Sequence, residues 1–365
     1  MTATPPLPIR RETAAPEATR VNLAFIPLVD AAPLIAGQEK GFFAAEDLDV
    51  VLHRERSWAS LRDKVAVGLY DAAHMLMPMP LALALGLSAP ALPMCAAHVL
   101  SHGGNAITIS TALADAMDAQ DGLNATRLAA VITGRGPDAP PPVFGVPFPT
   151  SCHHYELRQW LRSGGVRIAT SATPTPSDTP TVRLLVMPPQ AMAAALGRGE
   201  LDGMCVGEPW NTLAVQRGWG RIVITKQSIA PDSPEKVLGT TAAWAEANPG
   251  VHARLIRGAA AAGAWCDDPA NTDELAALLA DARYLDLPAE TILPSLRGRL
   301  AFEQSGEPVH QPGFLRFGGV GRPDPAHAAA LLRAMVDAHS MDEPAAPADL
   351  LSRVFKALPA VTAQT

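Results

Sequence analysis

Short apolar runs alternate with longer stretches of helical period along most of the chain. Val21–Leu28 is a near-continuous apolar run broken by Pro27, the pattern of a strand buried on both faces. Ala32–Lys40 reads as a helix stopped by Gly41. Leu48–Leu52 reads as a second strand, and Ser57 is placed to cap a helix running to about Gly68. Ala72–Met77 is a third strand, followed by a short helix from Pro80 to Leu87. The pattern restarts with strands at Ala106–Ser110 and Val143–Phe148 and a helix from Cys152 to about Arg162. Strands Val182–Met187 and Arg221–Lys226 flank a helix at Gln190–Gly197. Beyond Pro249 the pattern is mostly helical, with Val251–Trp265 and Asp273–Ala282 the clearest segments.

Strand–helix alternation of this kind calls for parallel sheets with helices on both faces, an α/β class. Two such sets and a helical C-terminal part predict a bilobal cleft protein. The expected division is a disordered tail over 1–20, one lobe from 21–104 plus 236–365, and a second lobe over 105–235. The Thr-, Ser- and Pro-rich stretch 169–181 reads as a surface loop.

A chain of 365 residues that is 48% hydrophobic and 18% charged can bury a large core. Its formal net charge of −7, without clustered Lys and Arg, argues against a nucleic-acid surface. Aromatic content of 5% disfavours base-stacking platforms. Residues 1–20 are rich in Pro, Thr, Ala and Glu and carry no apolar run, so the expected location is the cytoplasm. Cys95, Cys152, Cys205 and Cys266 lie far apart and fit reduced, buried thiols rather than zinc or disulfides.

In open α/β folds ligands collect beyond the carboxyl ends of strands, where helix N-termini offer free N–H groups to anions. Two helix starts carry polar groups, Ser57-Trp58 and Thr150-Ser151-Cys152-His153-His154. Between them His102-Gly103-Gly104-Asn105 reads as a crossover where Gly permits close backbone approach. Lys226 ends the strand Arg221–Lys226 in this reading. Each residue also has an ordinary alternative: Trp58 in a core, Asn105 in a turn, Lys226 on a solvated surface, and one of the adjacent histidines pointing outward. Cys152 lacks an identifiable Asn or Asp orienter for nucleophilic chemistry. His74 and the nearby methionines read as an alternating strand before a metal site.

Five blocks, in order, resemble the nitrate/bicarbonate solute-binding family. They are Ala31–Leu34 through Glu39–Phe43, Ser57–Ala59 with Arg62–Lys64, Asp71–Pro80, Cys205–Asn211 and Pro234–Gly239. The resemblance implies a periplasmic-binding-protein-like (type II) fold with two doubly wound lobes, no enzymatic activity and no cofactor. It also implies that Trp58, Gly104, Asn105, His153 and Lys226 hold the anion. Acidic residues replace the lysine in bicarbonate-binding relatives, so Lys226 points to nitrate or nitrite. One departure is Thr150-Ser151-Cys152, where relatives carry glycine. Similarity to the cytoplasmic nitrate/nitrite sensor branch implies a partner, an ANTAR-type RNA-binding antiterminator released when the anion binds and the lobes close. The alternative within the family is the substrate-binding component of an ABC-type nitrate transporter.

Overall fold

A computed structural model describes residues 9–10, 18–87, 89–117, 122–136, 139–169, 179–318, 321, 323–339 and 349–356. The strand Thr19–Phe25 buries Val21, Leu23, Ala24 and Phe25 completely and runs parallel to both Leu48–Arg54 and Ala72–Leu76. All five residues of Ala72–Leu76 are buried, as expected for a strand covered on both faces. Between the first two strands Ala32–Glu39 forms a helix, and Ser57 Oγ accepts the Ser60 N–H to start the helix Trp58–Ala66.

The chain divides into two compact units. The first comprises 1–102, 233–289 and 315–365, and the second 103–232 and 290–314. The expectation from sequence had put 290–314 with the first lobe. The first unit is built on a seven-stranded sheet and the second on a six-stranded one. Helices from both sides of the chain's midpoint cover the first sheet, including Pro249–Asp267 packed on Ala32–Glu39.

Both sheets are mixed, which corrects the purely parallel expectation. In the first, Pro234–Thr241 lies antiparallel between Ala72–Leu76 and Met94–Gly103. In the second, Asn105–Ser110 runs antiparallel to both Gly203–Gly207 and Gly220–Thr225, while Gly203–Gly207 runs parallel to Val143–Val146. Two further corrections concern which segments are strands. Met94–Gly103 is a ten-residue strand that periodicity missed. Ile9–Arg10 pairs with Val51 and Leu52, and Thr19 and Arg20 already belong to a strand, so 1–20 is not wholly a tail. Residues 170–178 of the expected loop lie outside the described residues. All four cysteines are buried and none forms a disulfide. No described helix is long and apolar enough to cross a membrane.

The second unit's core gathers Ile107, Ile109, Phe144, Val146, Leu157, Trp160, Leu161 and Cys205. Leu157, Trp160 and Leu161 fall on one face of the helix Cys152–Ser163 at the 3–4-residue spacing that packs it on the sheet. Cys152, His153 and Glu156 are buried on this helix as well, so its first turns bring polar chemistry inward along with apolar residues.

Candidate functional site

Strand directions in the second unit bring four strand ends together at one end of the sheet. Asn105 opens its strand opposite Gly207, the last residue of its antiparallel neighbour. Thr225 closes the next strand opposite Ala106, and Val146 ends the parallel strand on the other side. Lys226 is therefore the first residue of the short helix Lys226–Ile229 and not the end of a strand, a correction of one position with chemical weight. It lifts the side chain out of the alternation of the sheet.

The turn before Asn105 depends on two glycines with left-handed backbone, Gly103 at φ 71° and Gly104 at φ 81°. A Cβ on Gly103 would sit 2.0 Å from the Phe314 carbonyl oxygen. Gly104 donates its N–H to Phe314 O at 2.6 Å and accepts the Glu208 N–H at 2.9 Å, so its peptide is already committed. Ser151 caps the helix Cys152–Ser163. Its Oγ accepts from His154 N at 3.1 Å and donates to Phe148 O at 2.7 Å.

Glu156 is the residue that sequence reading missed. It lies one turn beyond Cys152, and its carboxylate joins two of the expected site residues. Lys226 Nζ lies 2.7 Å from Oε1, and Asn105 Nδ2 donates to Oε2 at 3.1 Å. The Lys226 and Glu156 side chains are 1% and 7% exposed, so the pair is shielded from water. The only signal in the sequence was the four-residue offset from Cys152, which places Glu156 on the same helical face. Asn105 Oδ1 and Thr150 Oγ1 are buried without a hydrogen-bond partner among the described residues. His153 is fully buried on the same helix. His154 is partly exposed, stacks on Tyr155 and places Nδ1 2.6 Å from Pro149 O.

The Glu208–Asn211 block has a separate, largely structural task. Asn211 Nδ2 donates to Val206 O and its Oδ1 accepts from Thr108 Oγ1, both at 2.8 Å. Burial lifts the Glu208 carboxyl to about 7, although the Thr212 N–H donated to its Oε2 at 3.1 Å favours the charged form.

Trp58 belongs to the first unit, where it is buried directly after its Ser57 cap. Its ring centroid lies 5.5 Å from that of His74, and Lys236 Nζ stands 5.9 Å over it. Trp58 Nε1 finds no acceptor among the described residues. Asp30 ties this group together, with Oδ2 2.6 Å from Lys236 Nζ and Oδ1 3.0 Å from His74 Nε2. Glu235 Oε1 adds a second carboxylate 3.0 Å from Lys236. Burial opposes ionisation of Asp30, yet Lys236 and His74 outweigh it and hold the carboxyl below its usual range. Burial pushes the His74 imidazole down more than Asp30 draws it up, so His74 is neutral near pH 7. Burial would also discharge Lys236, but Asp30 and Glu235 overcome it and raise the ammonium above its usual value. None of Asp30, Glu235 or Lys236 stood out from the sequence as part of a site.

Residues 14–280 match the NMT1-like family. The chain belongs to that family. Its relatives include the nitrate/nitrite binding protein NrtA of Synechococcus elongatus, 34% identical over 297 residues that make up 79% of this chain and 64% of that protein. The bicarbonate transport ATP-binding protein CmpC of the same species is 35% identical over 280 residues, 76% of this chain and 40% of that one. The chain thus spans about two fifths of the length of the ATP-binding relative and just under two thirds of the binding protein. The crystal structure of the periplasmic nitrate-binding protein NrtA from Synechocystis superposes with a TM-score of 0.82 at 27% identity, covering 94% of this chain and 86% of that one. The family resemblance and the periplasmic-binding-protein-like fold expected from the five sequence blocks are therefore both established.

Proposed function

We propose that this NMT1-like chain binds a small planar oxyanion, nitrate or nitrite, without turning it over. The observation that carries this reading is the arrangement around Glu156. Lys226 and Asn105 converge, buried, on the two oxygens of one planar carboxylate. A donor pair that fits one planar anion matches the shape and charge of another. Nitrate- and nitrite-binding relatives support the ligand class, and the ammonium of Lys226 suits an anion with no proton to give. Three or four charge-assisted hydrogen bonds of roughly 1.5–3 kcal/mol each, less the cost of ordering, give about micromolar affinity.

The finer reading is that of a cytoplasmic sensor. Anion binding shifts the population of conformations, and an ANTAR-type RNA-binding antiterminator is released to permit expression of nitrate-assimilation genes. The resemblance of the sequence blocks to the sensor branch supports it. A second reading, the substrate-binding component of an ABC-type nitrate transporter, is favoured by relatives named as parts of transport systems.

Titration calorimetry of the purified chain with nitrate, nitrite, bicarbonate and sulfate tests the ligand. Binding of nitrate or nitrite at micromolar concentration, with the other two silent, is the expected result; heat from bicarbonate or from none of the four sinks it. Pull-down from cells grown with and without nitrate then separates the two readings. An RNA-binding partner lost on nitrate addition identifies the sensor, and a membrane-associated ATP-binding partner identifies the transporter component.

A further inference from the structure

The donors assigned to the anion are already occupied. Glu156 places one carboxylate oxygen on Lys226 Nζ at 2.7 Å and the other under Asn105 Nδ2 at 3.1 Å, in the manner of a bound oxyanion. Two consequences follow from charge and from hydrogen-bond chemistry. The Lys226–Glu156 pair is neutral as a unit, so an arriving monoanion meets no net positive charge from it. The Asn105 amide is also turned by Glu156, because its NH₂ must face the carboxylate. Its Oδ1, an acceptor, is left buried with no donor among the described residues. A flip would set two acceptors against each other, so the orientation is fixed by chemistry. Nitrate carries only acceptors and cannot satisfy this oxygen, whereas hydrogen carbonate brings one O–H that can.

We propose that Glu156 is a tethered competitor for the anion, and that it sets both the affinity of the site and its discrimination between proton-less and protonated oxyanions. To bind nitrate through Lys226 and Asn105, the site must take both donors away from Glu156 and let the amide turn. Hydrogen carbonate, a monoanion as well, must also draw Lys226 from Glu156, and its O–H spares it only the turn of the Asn105 amide. This rests on the oxyanion reading above and adds the residue that tunes it. The lysine expected of nitrate-type relatives and a carboxylate of the kind expected in bicarbonate-type relatives are here in contact with one another. The choice between the two ligands is then set by their competition and not by the lysine alone.

The test compares the full-length protein with Glu156→Gln by calorimetry against nitrate and hydrogen carbonate, with thermal unfolding of each sample with and without nitrate. Glutamine keeps the shape but leaves Lys226 charged and frees the Asn105 amide to turn. Nitrate affinity is expected to rise at least tenfold, while hydrogen carbonate, silent at micromolar concentration in the wild type, stays silent there in the variant. The anion-free variant should melt lower, because a buried ion pair has lost one partner. Its gain in Tm on adding nitrate should exceed that of the wild type. A residue with only a structural role would lower both quantities. Should Glu156→Gln fail to fold, Glu156→Asp retains the charge but is too short to span both donors, and nitrate affinity should rise by a smaller factor. If the wild type binds nitrate and neither variant binds it more tightly, Glu156 is no competitor and the oxyanion reading stands. Failure of wild type and variants alike to bind either anion overturns both. Nitrate binding by Glu156→Gln alone supports the competitor and removes nitrate as the wild-type ligand.

Discussion

Lys236 Nζ lies 2.6 Å from Asp30 Oδ2, with the two side chains 0% and 4% exposed. Removing one member of such a pair strands the other charge in the core, which costs about 3–5 kcal/mol, whereas removing both together is close to neutral. Lys236→Met is expected to destabilise the protein by that amount, and Lys236→Met/Asp30→Asn by less than the sum of the two single losses, the remainder coming from Glu235, whose buried carboxylate loses Lys236 at 3.0 Å. Urea unfolding of the two single variants and the double variant measures the coupling. Strictly additive losses would mean the contact contributes nothing.

The Ser151 hydroxyl accepts one of the first free N–H groups, that of His154, in the helix that carries His153 and Glu156. Ser151→Ala should lower stability by about 1 kcal/mol, while Ser151→Asp should recover most of it. Thermal or chemical unfolding reads the difference; an unchanged midpoint in Ser151→Ala would show that the cap is dispensable.

Gly103→Ala is expected to cost about 3 kcal/mol or more, because it combines a left-handed φ of 71° with a Cβ 2.0 Å from Phe314 O. Ala substitution at Gly68 shares the positive φ of 74° but meets nothing within 4 Å, so it should cost only about 1 kcal/mol. Equal losses at the two positions would rule out the steric contact as the cause.

His153 and His154 differ in exposure, and their effects on anion binding should differ accordingly. His153 is fully buried beside the capped helix start, whereas His154 is partly exposed with Nδ1 against Pro149 O. His153→Ala is expected to weaken nitrate binding about fivefold or more, the equivalent of about one hydrogen bond, and His154→Ala to leave it within twofold. Calorimetry giving the reverse order would place the wrong histidine at the anion.

Acid should destabilise the protein through buried imidazoles. Burial pushes His98 and His252 down to about 4, so between the unfolded value near 6.5 and pH 4 the unfolded chain takes up protons that the folded one refuses. Stability attributable to these groups is full above pH 6.5 and falls as pH drops, by about 3 kcal/mol for each. Glu208 acts in the opposite sense. Its carboxyl is raised to about 7, so its contribution is present below the unfolded value and is lost as pH rises through 7. Glu208→Gln should therefore stabilise the protein by about 2–3 kcal/mol at pH 8, do little at pH 4.5, and steepen the acid loss. Unfolding free energies across this range provide the check, and parallel profiles for wild type and variant would show that Glu208 does not titrate as described.

The elements legible in the sequence were those whose cause is local. Thr19–Phe25, Leu48–Arg54 and Ala72–Leu76 announce themselves because burial on both faces demands mostly apolar residues, and Ser57 because a cap acts within three residues. Met94–Gly103 stayed hidden because alanines and two histidines dilute its apolar signal; its strand state is fixed by pairing with Pro234–Thr241. That antiparallel return, and the shift of Lys226 from strand to helix, depend on register between segments far apart in the chain. Lys226 and Asn105 could be named as residue types, through their resemblance to a family. Glu156 could not, because nothing near position 156 records that an ammonium 70 residues onward and an amide 51 residues back meet on its two oxygens. Local patterning determined which segments fold and which face they bury. Only the tertiary structure decided which charges meet, because a Coulomb contact depends on separation in space and not along the chain.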